Sequence, residues 1–320
     1  MGSSRIRSYE KFNYFLRPSK QVERKLFIET LHHLRPAGYS IYDYTYLGLG
    51  SVFYADFVLF HKYLYIDKMV CAEKDEIEQR MKFNKPFGFV KLVMKPFSDL
   101  VAGLSRQTQY VVWLDYDTPL TAEILQDIDG CTQVLAPGSI LIVTVEAEPR
   151  LALDGFEELS APDREKRLLE FFRDEFESLV LGGIRPSDVS KNDLPILVSR
   201  IVRSHISDCL ISRSDLRFHQ LFNFLYADGC QMLTLGGIID DKSAANRLRR
   251  SGVFDLKYLR TGEKPKLISV PPLTVREKGW IDNKLKSRRK DKNNLGLNPR
   301  LLRNYVEFYK YYPTYYETLT

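Results

Sequence analysis

Cysteine is scarce in this 320-residue chain: Cys71, Cys131, Cys209 and Cys230 stand singly. With no C-x-x-C pair and no histidine at ligand spacing, neither a disulfide framework nor a zinc site is indicated, and buried free thiols are expected. No apolar run approaches the roughly 20 residues needed to cross a bilayer, and the opening MGSSRIRSYEKF lacks the apolar stretch of a secretory signal. A soluble, cytoplasmic protein is expected. There is no G-x-x-x-x-G-K-[ST] phosphate loop. His61 and the pair His32–His33 have no partnered serine or cysteine in a recognisable elbow, so nucleophilic catalysis has no support. No internal repeat is present, and a 44% hydrophobic content excludes disorder throughout.

What the chain does have is an uneven charge. Residues 1–240 carry 28 basic and 33 acidic side chains, net −5, whereas residues 241–320 carry 19 and 8, net +11. The runs RLRR at Arg247–Arg250 and KLKSRRKDK at Lys284–Lys292 suit either phosphate neutralisation or a solvated basic surface. Tyr305, Tyr309, Tyr311, Tyr312, Tyr315 and Tyr316 follow. They suit stacking on bases, or docking against the rest of the protein or a dimer partner.

The most informative stretch is YDYTYLGLGS, Tyr42 to Ser51, a strand-like run that ends in a Gly-x-Gly turn before the helical pattern VFYADFVLFHKYL. Such a turn brings backbone N–H groups and a helix dipole towards an anionic or nucleotide-like ligand. A second strand, 68–73, ends in acid at Glu73, at the spacing where adenosine-binding α/β folds place a ribose-gripping carboxylate. Strands 89–95 and 110–117 follow, then a helix from about Thr121 to Val134 and an apolar strand reaching Glu146 and Glu148. Before the first strand, the spacing of Val22, Leu26, Phe27, Leu31 and Leu34 predicts a helix of roughly 15 residues after Pro18. Five strands separated by helices describe a doubly wound, mostly parallel α/β sheet. Helices are expected over 162–182 and in LPILVSRIVRSHISDCLISR, though β-branched residues leave strand open for the latter. Asp228-Gly229 then joins two runs as a late antiparallel hairpin.

LDYDTPL, residues 114–120, sets Asp115 and Asp117 at the carboxyl end of a central strand, where ligands bind in open α/β sheets. Asp117 also suits the N-cap of a helix starting near Thr118–Pro119. With Glu146 and Glu148 the two aspartates form an acidic group that would suit a divalent cation if the side chains converged; no metal site is assigned.

Taken in order, these stations resemble the class I S-adenosylmethionine-dependent methyltransferases, over roughly residues 20–240 and including the closing antiparallel pair. The resemblance implies a Rossmann-like core with S-adenosylmethionine as cofactor. Gly48, Gly50 and Ser51 would cradle the methionine moiety, Glu73 the ribose, and Phe97, Ser98 and Asp99 would face adenine. Asp115 and Asp117 are the catalytic candidates, and Lys20, in the segment preceding the first strand, would meet the cofactor carboxylate or a phosphate-bearing substrate. The fingerprint is truncated, since Val52-Phe53-Tyr54 stands where a third glycine is usual.

The domain reading is a helical segment over 1–36, the core over 37–240 and a basic, Tyr-rich extension over 241–320. The function expected is methyl transfer to an unidentified acceptor, with nucleic acid admitted by the basic extension and a protein partner or second copy by the tyrosines. Two alternatives stay open: a silent adenosine-ligand-binding or scaffold subunit, and a metal-dependent nuclease built on the acidic group.

Overall fold

The computed structural model describes residues 16–73, 77–151, 155–285 and 296–313. Tyr315, Tyr316 and most of the Lys284–Lys292 run lie outside the described residues. The chain forms an eight-stranded sheet in the order β3-β2-β1-β4-β5-β7-β6-β8. The strands are β1 (Thr45–Leu49), β2 (Lys68–Glu73), β3 (Val90–Met94), β4 (Tyr110–Pro119), β5 (Ser139–Glu146), β6 (Leu216–Ala227), β7 (Gln231–Asp241) and β8 (Lys266–Leu267). β1 to β5 are mutually parallel and β7 runs antiparallel to both β5 and β6. This is the expected Rossmann-like methyltransferase topology, closed by the Asp228-Gly229 hairpin.

Every residue of β5 and the first five of β4 are buried, because helices cover the sheet on both sides. One face presents Tyr46, Trp113, Ile140, Ile142, Phe222 and Phe224, packed against α1 (Pro18–His33) and α2 (Ala55–Leu64). Met81 of α3 (Glu78–Asn84) joins that face. The alternate residues Leu47, Val112, Leu114, Leu141 and Val143 point the other way. They meet α4 (Phe97–Val101), α5 (Ala122–Val134), α6 (Ala161–Phe176) and α7 (Leu194–Cys209).

Local chemistry shifts several boundaries from the sequence reading. β1 starts at Thr45, since Ile41–Asp43 form a 3-10 turn that lets the Tyr44 hydroxyl donate to the Gly138 carbonyl, 3.1 Å. β4 runs on to Pro119 through an irregularity after Asp115. The cap of α5 is therefore Thr121, whose hydroxyl accepts from the Ile124 N–H, and Asp117 caps nothing.

Residues beyond 240 add to the first face. α8 (Ala244–Arg250) contributes Leu248, and α10 (Pro299–Phe308), which follows α9 (Val275–Asp282), contributes Phe308. The described terminal tyrosines mostly turn inward: Tyr305 donates to Asp282 at 2.6 Å, Tyr312 to the Pro271 carbonyl at 2.9 Å, and Tyr311 to Glu29 of α1. Arg247, one of the four residues of RLRR, is engaged by Asp240 at 2.7 Å. No helix among the described residues is long and apolar enough to cross a membrane.

α1 has no side-chain cap of its own and no acid in its first turn. Its orphan N–H groups are satisfied from far along the chain: Asp228, in the hairpin turn, accepts from Ser19 N–H at 3.0 Å and Lys20 N–H at 2.9 Å. Asp228→Ala should cost about 1 kcal/mol, the usual size of a lost cap, read as a lower urea midpoint with an unchanged slope.

Candidate active site

At the carboxyl end of β1 the two glycines have different neighbours. A Cβ at Gly48 would lie 2.5 Å from the Tyr46 hydroxyl, so this glycine makes room for the protein's own phenol, which donates to Asp56 of α2. A Cβ at Gly50 would lie 2.9 Å from both Cβ and Oε2 of Glu73. Glycine is thus required for β1 and the acid ending β2 to meet. The turn does not offer all its amides: Gly50 N–H donates to the Ala72 carbonyl at 2.5 Å and Tyr54 N–H to the Ser51 carbonyl at 3.0 Å. The Ser51 and Val52 amides have no acceptor among the described residues. The helix begins only after Tyr54, a buried residue in the left-handed region at φ 46°.

One strand over, Asp115 joins a buried charge cluster. Lys20 of α1 is fully buried; its Nζ donates to Asp115 Oδ1 at 2.6 Å and to the Tyr226 hydroxyl at 3.0 Å, and lies 2.9 Å from Glu23 Oε2. The ammonium also sits 4.4 Å from the centroid of the Trp113 ring. Asp115 itself retains 26% exposure of its side chain. Glu23 is fully buried and neither of its oxygens accepts a well-aligned hydrogen bond. Burial raises its pKa, opposed by the Lys20 charge. Burial likewise raises Asp56, against the opposing charge of the buried Arg24, and holds the Tyr46 and Tyr226 phenols well above their ordinary range.

β2, β1 and β4 are adjacent, and Glu73, Gly50 and Asp115 share the α1 face of the sheet. At about 4.8 Å per strand, roughly 10 Å separates Glu73 from Asp115, a span suited to a nucleoside with a short chain attached. The structure thus brings together Gly50, Ser51 and Glu73 on one side and Lys20 and Asp115 on the other.

The other candidates fall elsewhere. Asp117 is exposed beyond the strand irregularity. Phe97 is buried in the opposite core, while Ser98 and Asp99 are exposed on α4. Glu146 is held by Arg150, with Nη2 to Oε2 at 2.7 Å, and Glu148 accepts from Gln231 N–H at 3.1 Å. No group of three or more metal-ligating side chains assembles among the described residues. A hollow of about 280 Å³, lined by Glu148, Arg150, Glu157, Arg164, Gly229 and Cys230, opens at the same end of the sheet. A second, about 200 Å³ and lined by Leu31, Tyr39, Ile41 and Tyr65 among others, lies by the segment leading into β1, away from this chemistry.

Sequence reasoning missed Glu23, Arg24, Asp56 and Tyr226. The one available signal was in α1, where Lys20, Glu23 and Arg24 stand at i, i+3 and i+4, the spacing of side chains that share a helix face.

A family profile described as "Putative O-methyltransferase" matches residues 12–320. No curated protein matches the chain. Among solved structures, the chain is similar to Trm1 from Pyrococcus horikoshii in complex with S-adenosyl-L-methionine, at 12% identity and a TM-score of 0.44, covering 86% of this chain and 72% of that one. It is similar to spermidine synthase from Thermotoga maritima at 11% identity and a TM-score of 0.35, covering 66% of this chain and only 59% of the synthase. For N-methyltransferase NodS from Bradyrhizobium japonicum the values are 10% and 0.35, covering 69% and 97%.

Replacing Lys20 with methionine would leave Glu23 and Asp115 without their shared cation. Lys20→Met should therefore destabilise by about 3–5 kcal/mol, the usual cost of removing one partner of a buried ion pair. Adding Glu23→Gln should recover part of the loss in the same denaturation measurement.

Proposed function

Because the chain belongs to this O-methyltransferase family, we propose that it moves the methyl group of S-adenosylmethionine to an acceptor oxygen at the carboxyl ends of β1, β2 and β4. The observation that carries this reading is the contact between Glu73 and Gly50. It sets a carboxylate beside the Ser51 and Val52 amides, a donor and acceptor set that fits the polar edge of a nucleoside.

S-adenosylmethionine supplies a methyl group already activated on a sulfonium, so the protein's work is alignment and removal of the acceptor's proton. Glu73 serves the ribose hydroxyls. Asp115, partly open and tethered through Oδ1 by Lys20, takes the proton. Lys20 acts by holding Asp115: its ammonium donates to Asp115 and Tyr226 and lies 2.9 Å from Glu23. Tyr226, buried with its phenol held protonated, keeps that ammonium in place. The hollow beside Glu148 and Arg150 gives the acceptor room at the same end of the sheet. The positive balance of residues 241–320 favours a phosphate-bearing acceptor, nucleic acid among them.

Calorimetric titration should give one site for S-adenosylmethionine and for S-adenosylhomocysteine. Glu73→Ala should weaken both by about 10- to 100-fold, the worth of charge-assisted hydrogen bonds. Asp115→Ala should keep cofactor binding and lose at least about 100-fold in transfer of tritiated methyl to RNA, protein or small-molecule fractions. Binding with no transfer to any fraction would instead favour a silent ligand-binding subunit; unchanged transfer by Asp115→Ala would remove Asp115 from the chemistry.

A further inference from the structure

The buried cluster has more carboxyls than cations. Lys20 and Arg24 face Glu23, Asp56 and Asp115, with Arg17 and Asp228 further out beside Tyr226, so full ionisation would leave one negative charge in excess around the fully buried Glu23 and Lys20. Proximity and burial identify the carboxyl that keeps a proton. Asp115 accepts a 2.6 Å hydrogen bond from Lys20 and reaches solvent. Asp56 accepts the Tyr46 hydroxyl and lies under the Arg24 charge. Glu23 has neither advantage: it is fully buried, with no aligned hydrogen bond to either oxygen, and shares Lys20 with Asp115.

Its surroundings are polar, and Lys20 is the cation paired with it. Lys20 faces it from its own helix, Asp115 from β4, Tyr226 from β6 and Thr234 from β7. Thr234 is itself tied to Thr144 at 2.8 Å, whose hydroxyl accepts from the Trp113 indole N–H at 2.9 Å. Lys20 therefore has two carboxyl claimants, one buried and one open to the cleft.

We infer that Glu23 is a positioning residue for the Asp115 base, competing with it for the Lys20 ammonium and so setting how much of the Asp115 charge faces the acceptor. With Glu23 neutral, Lys20 belongs to Asp115 alone, and the ammonium screens its carboxylate from the acceptor. With Glu23 ionised, the ammonium is shared and a second negative charge stands beside Asp115, so more of the Asp115 charge is turned to the acceptor. The proton released as the acceptor oxygen gains its methyl goes to Asp115 and thence to solvent through its exposed side; Glu23 gains and loses its own proton only as pH changes. The inference rests on the role proposed for Asp115, but its first test does not.

That test is infrared spectroscopy of the full chain with Glu23→Gln and Asp56→Asn as variants. At neutral pH the wild type should show a buried carboxylic-acid carbonyl band that Glu23→Gln lacks and Asp56→Asn keeps. A band that survives in Glu23→Gln, or vanishes in Asp56→Asn, overturns the assignment, and should one variant fail to fold the other still decides. Stability gives a second readout free of catalysis. Burial raises Glu23 above the ordinary 4.5, so the folded chain binds this proton more readily than the unfolded chain. The associated stability is full below about pH 4.5 and is lost as pH rises through the folded value. Glu23→Gln should accordingly gain on the wild type from acid to neutral pH in urea unfolding; no gain counts against the inference.

The kinetic test is the pH profile of methyl transfer. The wild type should lose activity towards acid in two steps, one for each of the two carboxyls that share the ammonium. Glu23→Gln should show one step, with a plateau several-fold below the wild type's. Superimposable two-step profiles would overturn the inference. A wild type with no transfer at all would strike the methyltransferase reading and leave the infrared result standing.

Discussion

The site depends on one buried ammonium. Lys20 has left water entirely, a loss of hydration worth several kcal/mol, and three polar groups on three elements offset it: Glu23 beside it on its own helix, and the acceptors Asp115 on β4 and Tyr226 on β6. A cation so enclosed fixes distances among the elements it joins. It ties the N-terminal helix to the ends of two strands and holds the one partly open carboxylate of the group in a single place. Trp113 beneath it adds a ring face whose negative quadrupole suits the charge.

The same economy runs through the neighbouring strand ends. Gly48 and Gly50 look in the sequence like a single ligand cradle, yet one makes space for a phenol and the other for a carboxylate. Tyr46, Asp56 and Arg24 thereby form a second polar group beneath the turn, and the Ser51 and Val52 amides are left without an acceptor among the described residues. The glycine turn is a packing device, letting β1, β2 and α2 close together.

Much of the fold was legible because its signals are local and repeated. The continuous apolar runs of β4 and β5, the helices between strands and the Asp228-Gly229 turn each declare themselves within about ten residues, and the order of strands follows from their alternation. The site was legible only in part. Gly50, Glu73 and Asp115 are found by their offsets from strand ends, and the sheet then makes them neighbours. Glu23 and Arg24 gave no such sign, since charged residues on an amphipathic pattern read as a solvated face; they are buried because α1 turns them inward, Glu23 towards Asp115 and Thr234 of the sheet and Arg24 towards Asp56. Asp117 misled for a similar reason: an irregularity that prolongs β4 moved the helix start by four residues and left it on the surface.

The cap on α1 also orders events in time. Its N-terminal amides find their acceptor 208 and 209 residues further along the chain. A ribosome must therefore release the hairpin turn before the first helix has a seat, and until then Lys20, Glu23 and Arg24 travel in water, where charged residues are at ease. A helix that waits so long for its partner defers assembly of the buried charge cluster until nearly the whole sheet exists.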